Sequence, residues 1–214
     1  MPGVPVHRHP SVYGLGRTYA AHAAEMGAAP EPVVFVMPWS SLAPGGGEIP
    51  WPEGSGLVHH EVELVLRLGA GGRRLERDAA GAAIAAVTVG IDLTARDLQG
   101  RAKELGHPWS RAKGFPGACP LGPPVAADPF RGRWGDIDLV LAVDGEIRQR
   151  ARVAEMRPDP PGIVSLLSRW FELVPGDLVF TGTPAGVGPV RPGERLVASS
   201  RALGVRLECA LLPP

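Results

Sequence analysis

The chain has 214 residues with 22 basic and 22 acidic side chains, so its formal net charge is zero. That length suits one large domain over residues 1–214, with its core at about 13–192, and the mixed charge is not typical of nucleic-acid-binding proteins. The N-terminal MPGVPVHRHP lacks the apolar stretch of a signal peptide, and no apolar run approaches the ~18 residues that span a membrane, so we expect a cytoplasmic protein without nucleic-acid or membrane partners.

The first half of the chain reads as strands separated by turns and two helices. YGLGRTYAAHAAEMG predicts a turn and then a short helix that ends at Gly27, and PEPVVFVMPWS predicts a strand between prolines. The glycine-rich APGGGEIPWPEGSG predicts a loop, and residues 57–68 predict one continuous strand. RDAAGAAIAAVTVGIDLTARDLQGRAKELG changes from a strand pattern to a helix pattern.

The second half is also rich in strands. HPWSRAKGFPGACPLGPPV predicts an irregular segment, and DIDLVLAVDGEIRQRARV predicts two strands joined by its DG turn. PPGIVSLLSRWFELVPGD predicts an amphipathic helix with Ile163, Leu166, Leu167 and Trp170 on one face. DLVFTGTPAGVGPV predicts a strand and a glycine-rich loop, and ERLVASS and GVRLECALL predict the last strands. Strands outnumber helices and the turns are short, which indicates an α+β fold with a large antiparallel or mixed sheet system.

The strand LVHHEVELVLRLG carries two carboxylates on one face. Side chains alternate along a strand, so Glu61 and Glu63 share a face with His59. This pattern is compatible with a solvated outer face or with a site for a hard cation, which prefers oxygen ligands. Asp92, at the polar end of an apolar strand in VTVGIDLTARDLQ, is a candidate third ligand, although it could instead cap the following helix.

Two uncommon side chains lie beyond this aspartate. The chain has two lysines, two glutamines and no asparagine, so Lys113 and Gln99 are candidates for residues kept for their chemistry. Gln99 shares a helix face with Arg96 at spacing i, i+3, and a guanidinium pairs with a carboxylate through two hydrogen bonds. The pair is therefore either part of a surface helix or part of a binding site for a substrate carboxylate.

Two further segments could contribute to a site. His22 and Glu25 are also spaced i, i+3, and a carboxylate beside an imidazole raises its basicity and helps it to activate water. The same spacing is found in ordinary exposed helix pairs. The TGTP stretch after a predicted strand could offer hydroxyl and backbone N–H groups to an anion, or it could be a tight turn.

These segments occur in an order that resembles the catalytic domain of the fumarylacetoacetate hydrolase superfamily. The resemblance rests on GLGRTYAAHAAEMG, PVVFVMP, LVHHEVELVLRLG, GIDLTARDLQGRAKELGHPWSRAKGFPGACPLGP, VDGEIRQ and GDLVFTGTPAGVGPV, over residues 13–192. DLTARDLQ, PWSRAKGF and TGTPAGVGPV are most similar to the short single-domain members. The resemblance implies a mixed β-roll of several sheets with few short helices, usually assembled as a homodimer.

The resemblance also implies roles for individual residues. The metal ligands would be Glu61, Glu63 and Asp92, which would hold Mg²⁺ or Mn²⁺, with Ca²⁺ able to occupy the site in a crystal. Lys113 would stabilise enolate or oxyanion charge. Substrate binding would fall to Arg96, Gln99, Gly182 and Thr183. Water activation would fall to His22 and Glu25, on a mobile lid.

The activity implied is metal-dependent hydrolysis of a C–C bond in 3-acylpyruvate-type 2-oxo acids, such as acetylpyruvate or fumarylpyruvate, with release of pyruvate. The alternatives are an oxaloacetate-type decarboxylase, an isomerase of an unsaturated oxo-dicarboxylate in aromatic catabolism, and a non-catalytic protein that binds 2-oxo acids. The chain departs from the family pattern at Met37-Pro38, where many relatives have Lys-Pro. That difference bears on which acyl group the site accepts.

Overall fold

The computed structural model describes residues 9–19 and 32–214. The predicted helix that contains His22 and Glu25 lies outside these ranges. Sixteen strands and four α-helices form within them. The first eight strands are β1 (Val12–Gly16), β2 (Val33–Met37), β3 (Leu42–Pro44), β4 (Gly47–Ile49), β5 (Val58–His60), β6 (Val62–Leu68), β7 (Ile84–Ile91) and β8 (Thr94–Ala95).

The other strands and the helices complete the described chain. The strands are β9 (Cys119–Leu121), β10 (Val125–Ala126), β11 (Asp138–Val143), β12 (Glu146–Arg152), β13 (Leu178–Phe180), β14 (Gly188–Val190), β15 (Arg195–Ser200) and β16 (Val205–Leu211). The α-helices are α1 (Arg77–Ala83), α2 (Arg96–Leu105), α3 (Ser110–Lys113) and α4 (Pro160–Trp170). None of these helices is long and apolar enough to cross a membrane.

The strands form three sheets. The largest has eight strands in the order β2-β1-β13-β6-β7-β9-β3, with β10 also paired to β7. A second sheet has the order β12-β11-β15-β16-β4, and a third, of three strands, has the order β14-β5-β8. Most neighbours are antiparallel, but β1–β13, β3–β9 and β4–β16 are parallel. The predicted α+β fold with several mixed sheets and few short helices is confirmed.

The core lies where the two larger sheets pack face to face. Strands β6 and β7 of the first sheet contact β11, β15 and β16 of the second. Their inward side chains, among them Leu64, Leu66, Leu139, Leu141 and Leu196, are fully buried. Each such leucine contributes roughly 1.5–3 kcal/mol by leaving water. Because β6 is covered on both faces, nearly all its side chains are buried and the simple inside–outside alternation is lost.

Several local predictions were wrong or incomplete. The predicted turn before the first helix is strand β1, and the glycine-rich loop contains the short strands β3 and β4. The whole of RDAAGAA, predicted as part of a strand pattern, forms helix α1, and the segment predicted to be irregular contains α3, β9 and β10. These elements are two to seven residues long, too short for a periodic pattern, and the strands among them are paired with strands distant in the sequence.

Helix α4 departs from its predicted apolar face at one residue. Ile163 and Leu167 are fully buried, but Trp170 is 49% exposed. The helix ends at Trp170, and the next residue, Phe171, packs on Tyr13 with ring centroids 5.0 Å apart. The contact with the core at this end is therefore made by the residue after the helix.

Candidate metal and substrate site

A break in the predicted strand brings the first two carboxylates of the site into position. Strand β5 ends at His60 and β6 begins at Val62, so Glu61 lies at the junction between the three-stranded and eight-stranded sheets. The backbone carbonyl of Glu61 accepts a hydrogen bond of 2.8 Å from the N–H of Asp92, one residue beyond β7. Because β6 and β7 are antiparallel neighbours, the end of β7 lies beside the start of β6.

Glu61, Glu63 and Asp92, named here the acidic triad, form one buried cluster. Each offers a carboxylate oxygen, and these oxygens all lie within 4.8 Å of one another. All three side chains are at least nine-tenths buried. Asp92 does not cap helix α2, whose N-cap is Ala95, so the alternative reading of Asp92 as a capping residue was wrong.

Two cations compensate the charge of the acidic triad. The Lys113 ammonium, 3% exposed, donates to Glu61 Oε2 at 2.8 Å and to Asp92 Oδ2 at 2.5 Å. The Arg96 guanidinium donates to Glu61 Oε1 at 2.6 Å and to Gln99 Oε1 at 2.7 Å. Buried carboxylates are retained only when such partners offset the cost of removing them from water.

The ionisation of the triad reflects the balance between burial and these partners. Burial is the largest influence on Asp92 and raises its pKa to about 6, although Lys113 opposes the shift. Burial, followed by repulsion from Asp92, also raises the pKa of Glu63 well above its usual range. For Lys113, burial acts to lower the pKa, but Asp92 and Glu61 together raise it. The fold therefore disfavours the charged forms of Asp92 and Glu63, even with Lys113 beside them.

The acidic triad fits a hard divalent cation. Its donors are all carboxylate oxygens, the type that Mg²⁺ and Mn²⁺ prefer. Asp92 Oδ1 is buried and has no hydrogen-bond partner among the described residues, a state that normally costs free energy. A cation held by Glu61, Glu63 and Asp92 would satisfy this oxygen and offset the repulsion within the cluster.

The TGTP loop closes the site from the side of strand β13. The backbone N–H of Gly182 donates to Glu63 Oε2 at 2.7 Å, which holds that carboxylate in place. Gly182 has φ of +98°, and a Cβ atom there would lie 2.1 Å from Thr18 Oγ1, so only glycine fits this close approach. Thr18 in turn donates to the carbonyl of Thr181 at 2.7 Å. Thr183 lines the pocket above the triad.

Gln149 is a supporting residue that was not among the predicted site residues. Its amide is buried and joins three parts of the site: Oε1 accepts from the backbone N–H of Val62 at 3.0 Å and lies 3.0 Å from His60 Nδ1. Its Nε2 donates to Thr183 Oγ1 at 2.9 Å and to the Pro184 carbonyl at 3.0 Å. The rarity of glutamine in the chain singled out Gln99, and the same signal pointed to Gln149.

The walls of the pocket add two aromatic rings and two more cations. Phe35 and Trp109 line it with ring centroids 5.6 Å apart. Arg17 and Lys103 also line it, and neither was a predicted site residue. Met37 does not line this pocket: its side chain is buried, and its Sδ lies 3.3 Å from Cys119 Sγ.

The structure thus brings most of the predicted site residues together. The carboxylate oxygens of the acidic triad lie within 4.8 Å of one another, Lys113 and Arg96 both form ion pairs with the triad, and Gln99 is held by Arg96. Gly182 binds the triad, and Thr183 lies on the pocket wall. His22 and Glu25 lie outside the described residues, so their role stays a prediction. Chemically, the cluster can bind a divalent cation and present fixed positive charge to an anionic ligand beside it.

Comparison with known proteins gives consistent matches over nearly the whole chain. Residues 11–208 match the family described as Fumarylacetoacetate (FAA) hydrolase C-terminal. An oxaloacetate tautomerase from Escherichia coli is 40% identical over 187 residues, which is 86% of this chain and 85% of that protein. A mitochondrial oxaloacetate decarboxylase from Dictyostelium discoideum is 38% identical over 186 residues, 86% of this chain and 85% of that protein.

A solved structure agrees with the fold as a whole. The crystal structure of fumarylpyruvate hydrolase from Pseudomonas aeruginosa, in complex with Mn²⁺ and pyruvate, superposes with a TM-score of 0.89 at 40% identity. The match covers 95% of this chain and 90% of that chain. The proteins that this chain is similar to therefore include a hydrolase, a decarboxylase and a tautomerase.

Proposed function

The chain belongs to the fumarylacetoacetate hydrolase C-terminal family, and we propose that it is a divalent-metal-dependent enzyme that acts on 2-oxo acids through their enolates. The reaction we put first is hydrolysis of a C–C bond in a 3-acylpyruvate, with release of pyruvate. The observation that carries the proposal is the contact of the Lys113 ammonium with two members of a buried triad of carboxylates, in a pocket that also contains Arg96 and Gln99.

The proposed chemistry depends on positive charge fixed before the reaction begins. Held by Glu61, Glu63 and Asp92, Mg²⁺ or Mn²⁺ would supply a Lewis acid that favours enolate formation. Lys113 is buried and held by two carboxylates, so its ammonium would stand beside the developing enolate without reorganisation. In this proposal Arg96 and Gln99, which are hydrogen-bonded to each other, orient a substrate carboxylate.

Hydrolysis needs a further group that activates water. In this proposal the His22–Glu25 pair removes a proton from water, and the water oxygen adds to the distal carbonyl carbon. The bond between that carbon and C3 of the pyruvate unit then breaks, and the electron pair stays with the pyruvate unit as its enolate. Protonation of C3 gives pyruvate, and the acyl part leaves as a carboxylic acid.

Oxaloacetate is the second candidate substrate, in keto–enol tautomerisation or decarboxylation. Both reactions pass through an enol or enolate of the same kind and need no attack by water, so they depend on the acidic triad and Lys113 but not on the His22–Glu25 pair. Similarity to the E. coli oxaloacetate tautomerase and to the Dictyostelium oxaloacetate decarboxylase supports this candidate. A non-catalytic 2-oxo acid binder has less support, since it would have no need of a buried, charge-compensated lysine beside the cation site.

The first test is the loss of the enol absorbance of acetylpyruvate. Purified protein with Mg²⁺ or Mn²⁺ should remove the absorbance and produce pyruvate, and excess chelator should stop the reaction, because the buried triad then lacks its cation. Loss of absorbance that chelator does not affect would contradict a metal-dependent reaction. Activity on oxaloacetate but not on acetylpyruvate would favour the second candidate.

His22→Ala separates the two candidate reactions. Because general-base catalysis typically contributes about 10²–10⁴-fold, the substitution should lower acetylpyruvate hydrolysis by that factor. Tautomerisation of oxaloacetate, followed by its ultraviolet absorbance, should continue, and Mn²⁺ affinity should be nearly unchanged. Glu25→Gln should show the same pattern. Hydrolysis at the wild-type rate in His22→Ala would remove this residue from the mechanism.

A further inference from the structure

The mouth of the pocket carries two cations that the proposed chemistry does not use. Lys103 and Arg17 line the same pocket as the acidic triad. Within the described ranges, neither side chain makes an ion pair or hydrogen bond with a carboxylate, whereas Lys113 and Arg96 are both paired with the triad. The charge of Lys103 and Arg17 is therefore available to a ligand in the pocket.

Lys103 lies on the helix face that leads out of the site. Arg96, Gln99 and Lys103 are spaced i, i+3 and i+7 on α2, so they follow one another along one face. Gln99 is 3% exposed and the Arg96 side chain 20%, while Lys103 is exposed to solvent. A ligand gripped by Arg96 and Gln99 and extending outwards would thus approach Lys103.

Two aromatic rings line the pocket between the inner and outer ammonium groups. The Lys113 Nζ lies 5.1 Å from the centroid of Phe35, and the Lys103 Nζ lies 5.2 Å from the centroid of Trp109. The two rings pack on each other at 5.6 Å. Such a wall favours a flat, unsaturated chain over a bulky one, and the contact with Trp109 orients the Lys103 ammonium without neutralising it.

The balance of charge favours a ligand with two negative groups. Arg17, Arg96, Lys103 and Lys113 oppose the three carboxylates of the triad. With a divalent cation bound, the pocket would hold six positive charges against three negative ones, an excess of three. One substrate carboxylate would be bound at the inner end, which leaves uncompensated charge at the mouth. Burial and the neighbouring Arg96 and Arg17 lower the pKa of Lys103, as expected for an ammonium among other cations.

From this arrangement we propose that Lys103, assisted by Arg17, binds a second carboxylate at the far end of the substrate. The preferred substrates would be dianionic 2-oxo acids with a flat spacer, such as fumarylpyruvate, over 3-acylpyruvates with an uncharged acyl end, such as acetylpyruvate. This inference rests on the proposed function, because it assigns the substrate class of the same site.

The test compares substrates that differ in their far end. We expect Lys103→Met to lower the ratio of kcat/KM for fumarylpyruvate to kcat/KM for acetylpyruvate by roughly tenfold, as for loss of a charge-assisted hydrogen bond. Lys103→Arg should restore the ratio. The matched control is Arg101→Met, which removes a positive charge from the same helix at an exposed position that does not line the pocket, and it should leave the ratio close to wild type.

A binding measurement separates failure of the inference from failure of the proposed function. 2-Oxoglutarate and 2-oxopentanoate have the same chain length, but only the first has a far carboxylate. With Mn²⁺ present, calorimetry should show that Lys103→Met weakens binding of 2-oxoglutarate much more than that of 2-oxopentanoate, and that salt reduces the difference. No turnover with an intact binding preference would reject the reaction and keep the Lys103 assignment. An unchanged preference in Lys103→Met, or an equal loss in Arg101→Met, would overturn the assignment.

Discussion

Asp92→Asn should abolish tight binding of Mg²⁺ or Mn²⁺ and lower turnover at least about a hundredfold, since metal-based charge stabilisation contributes several kcal/mol and each 1.36 kcal/mol is a factor of ten. Asparagine keeps the shape of the side chain but removes the charge of a carboxylate whose buried Oδ1 has no hydrogen-bond partner among the described residues. Calorimetric titration with Mn²⁺ and steady-state kinetics would measure both effects.

The same substitution should not destabilise the metal-free protein. Burial raises the pKa of Asp92 to about 6. At pH 7 the folded protein therefore holds the charged carboxylate at a free-energy cost relative to the unfolded chain. Removing that charge should leave the melting temperature in chelator equal to or above the wild-type value. Added Mn²⁺ should raise the melting temperature of the wild type only, because ligands stabilise the state that binds them.

Asp97→Asn is the matched control for this experiment. Asp97 lies five residues after Asp92. Its carboxylate accepts hydrogen bonds from Ser55 Oγ at 2.6 Å and from the Gly56 N–H at 2.7 Å, and it does not contact the triad in the described structure. Mn²⁺ affinity should therefore be retained in Asp97→Asn. Wild-type Mn²⁺ affinity in Asp92→Asn would exclude Asp92 as a ligand.

Lys113→Met should lower kcat by about 10²–10³, the usual cost of removing one preorganised donor to a developing oxyanion. It should also destabilise the metal-free protein by about 3–5 kcal/mol, because Glu61 and Asp92 lose their buried partner. Chemical denaturation in chelator would measure the second effect. Added Mn²⁺ should recover much of the lost stability, since the cation replaces the missing positive charge.

Lys113→Arg gives a control that separates charge from position. The guanidinium keeps the positive charge, so it should preserve more of the metal-free stability than methionine does. The guanidinium spreads that charge over a planar group, whereas the lysine ammonium is compact, so Lys113→Arg should not restore kcat. A Lys113→Met enzyme with wild-type kcat would show that the ammonium serves only to keep the carboxylates together.

The parts of the site that the sequence predicted share one property: they lie within short segments with distinctive residue types. The triad was found from strand alternation, from the polar end of an apolar strand and from the order of the family motifs. The hairpin of β11 and β12 was found from its DG turn, which adopts the left-handed conformation that such turns need. In each case the signal was contained in a few neighbouring residues.

The parts that were missed depend on contacts between distant segments. The break in the strand at Glu61 follows from pairing of β5 with β14 and β8, and nothing in LVHHEVELVLRLG indicates it. The position of Lys103 beside Trp109, in a pocket lined from strands and helices that are far apart in the sequence, is likewise not readable from its own helix. Periodicity describes which way a side chain points within its own element, but it does not identify the partner on another sheet.

The contacts of Gln149 join segments that are far apart in the sequence, and this separation bears on the order in which the chain folds. The Gln149 amide reaches Val62, 87 residues earlier, and Thr183, 34 residues later, so it joins segments that meet only when the second sheet docks on the first. Closure of such long loops is costly and slow, and it must precede the contacts that stabilise them. While the chain is being synthesised, Glu61 and Glu63 are ordinary hydrated glutamates. The arrangement of carboxylates that could hold a cation therefore forms late in folding, and a partly folded chain has the three carboxylates without the site.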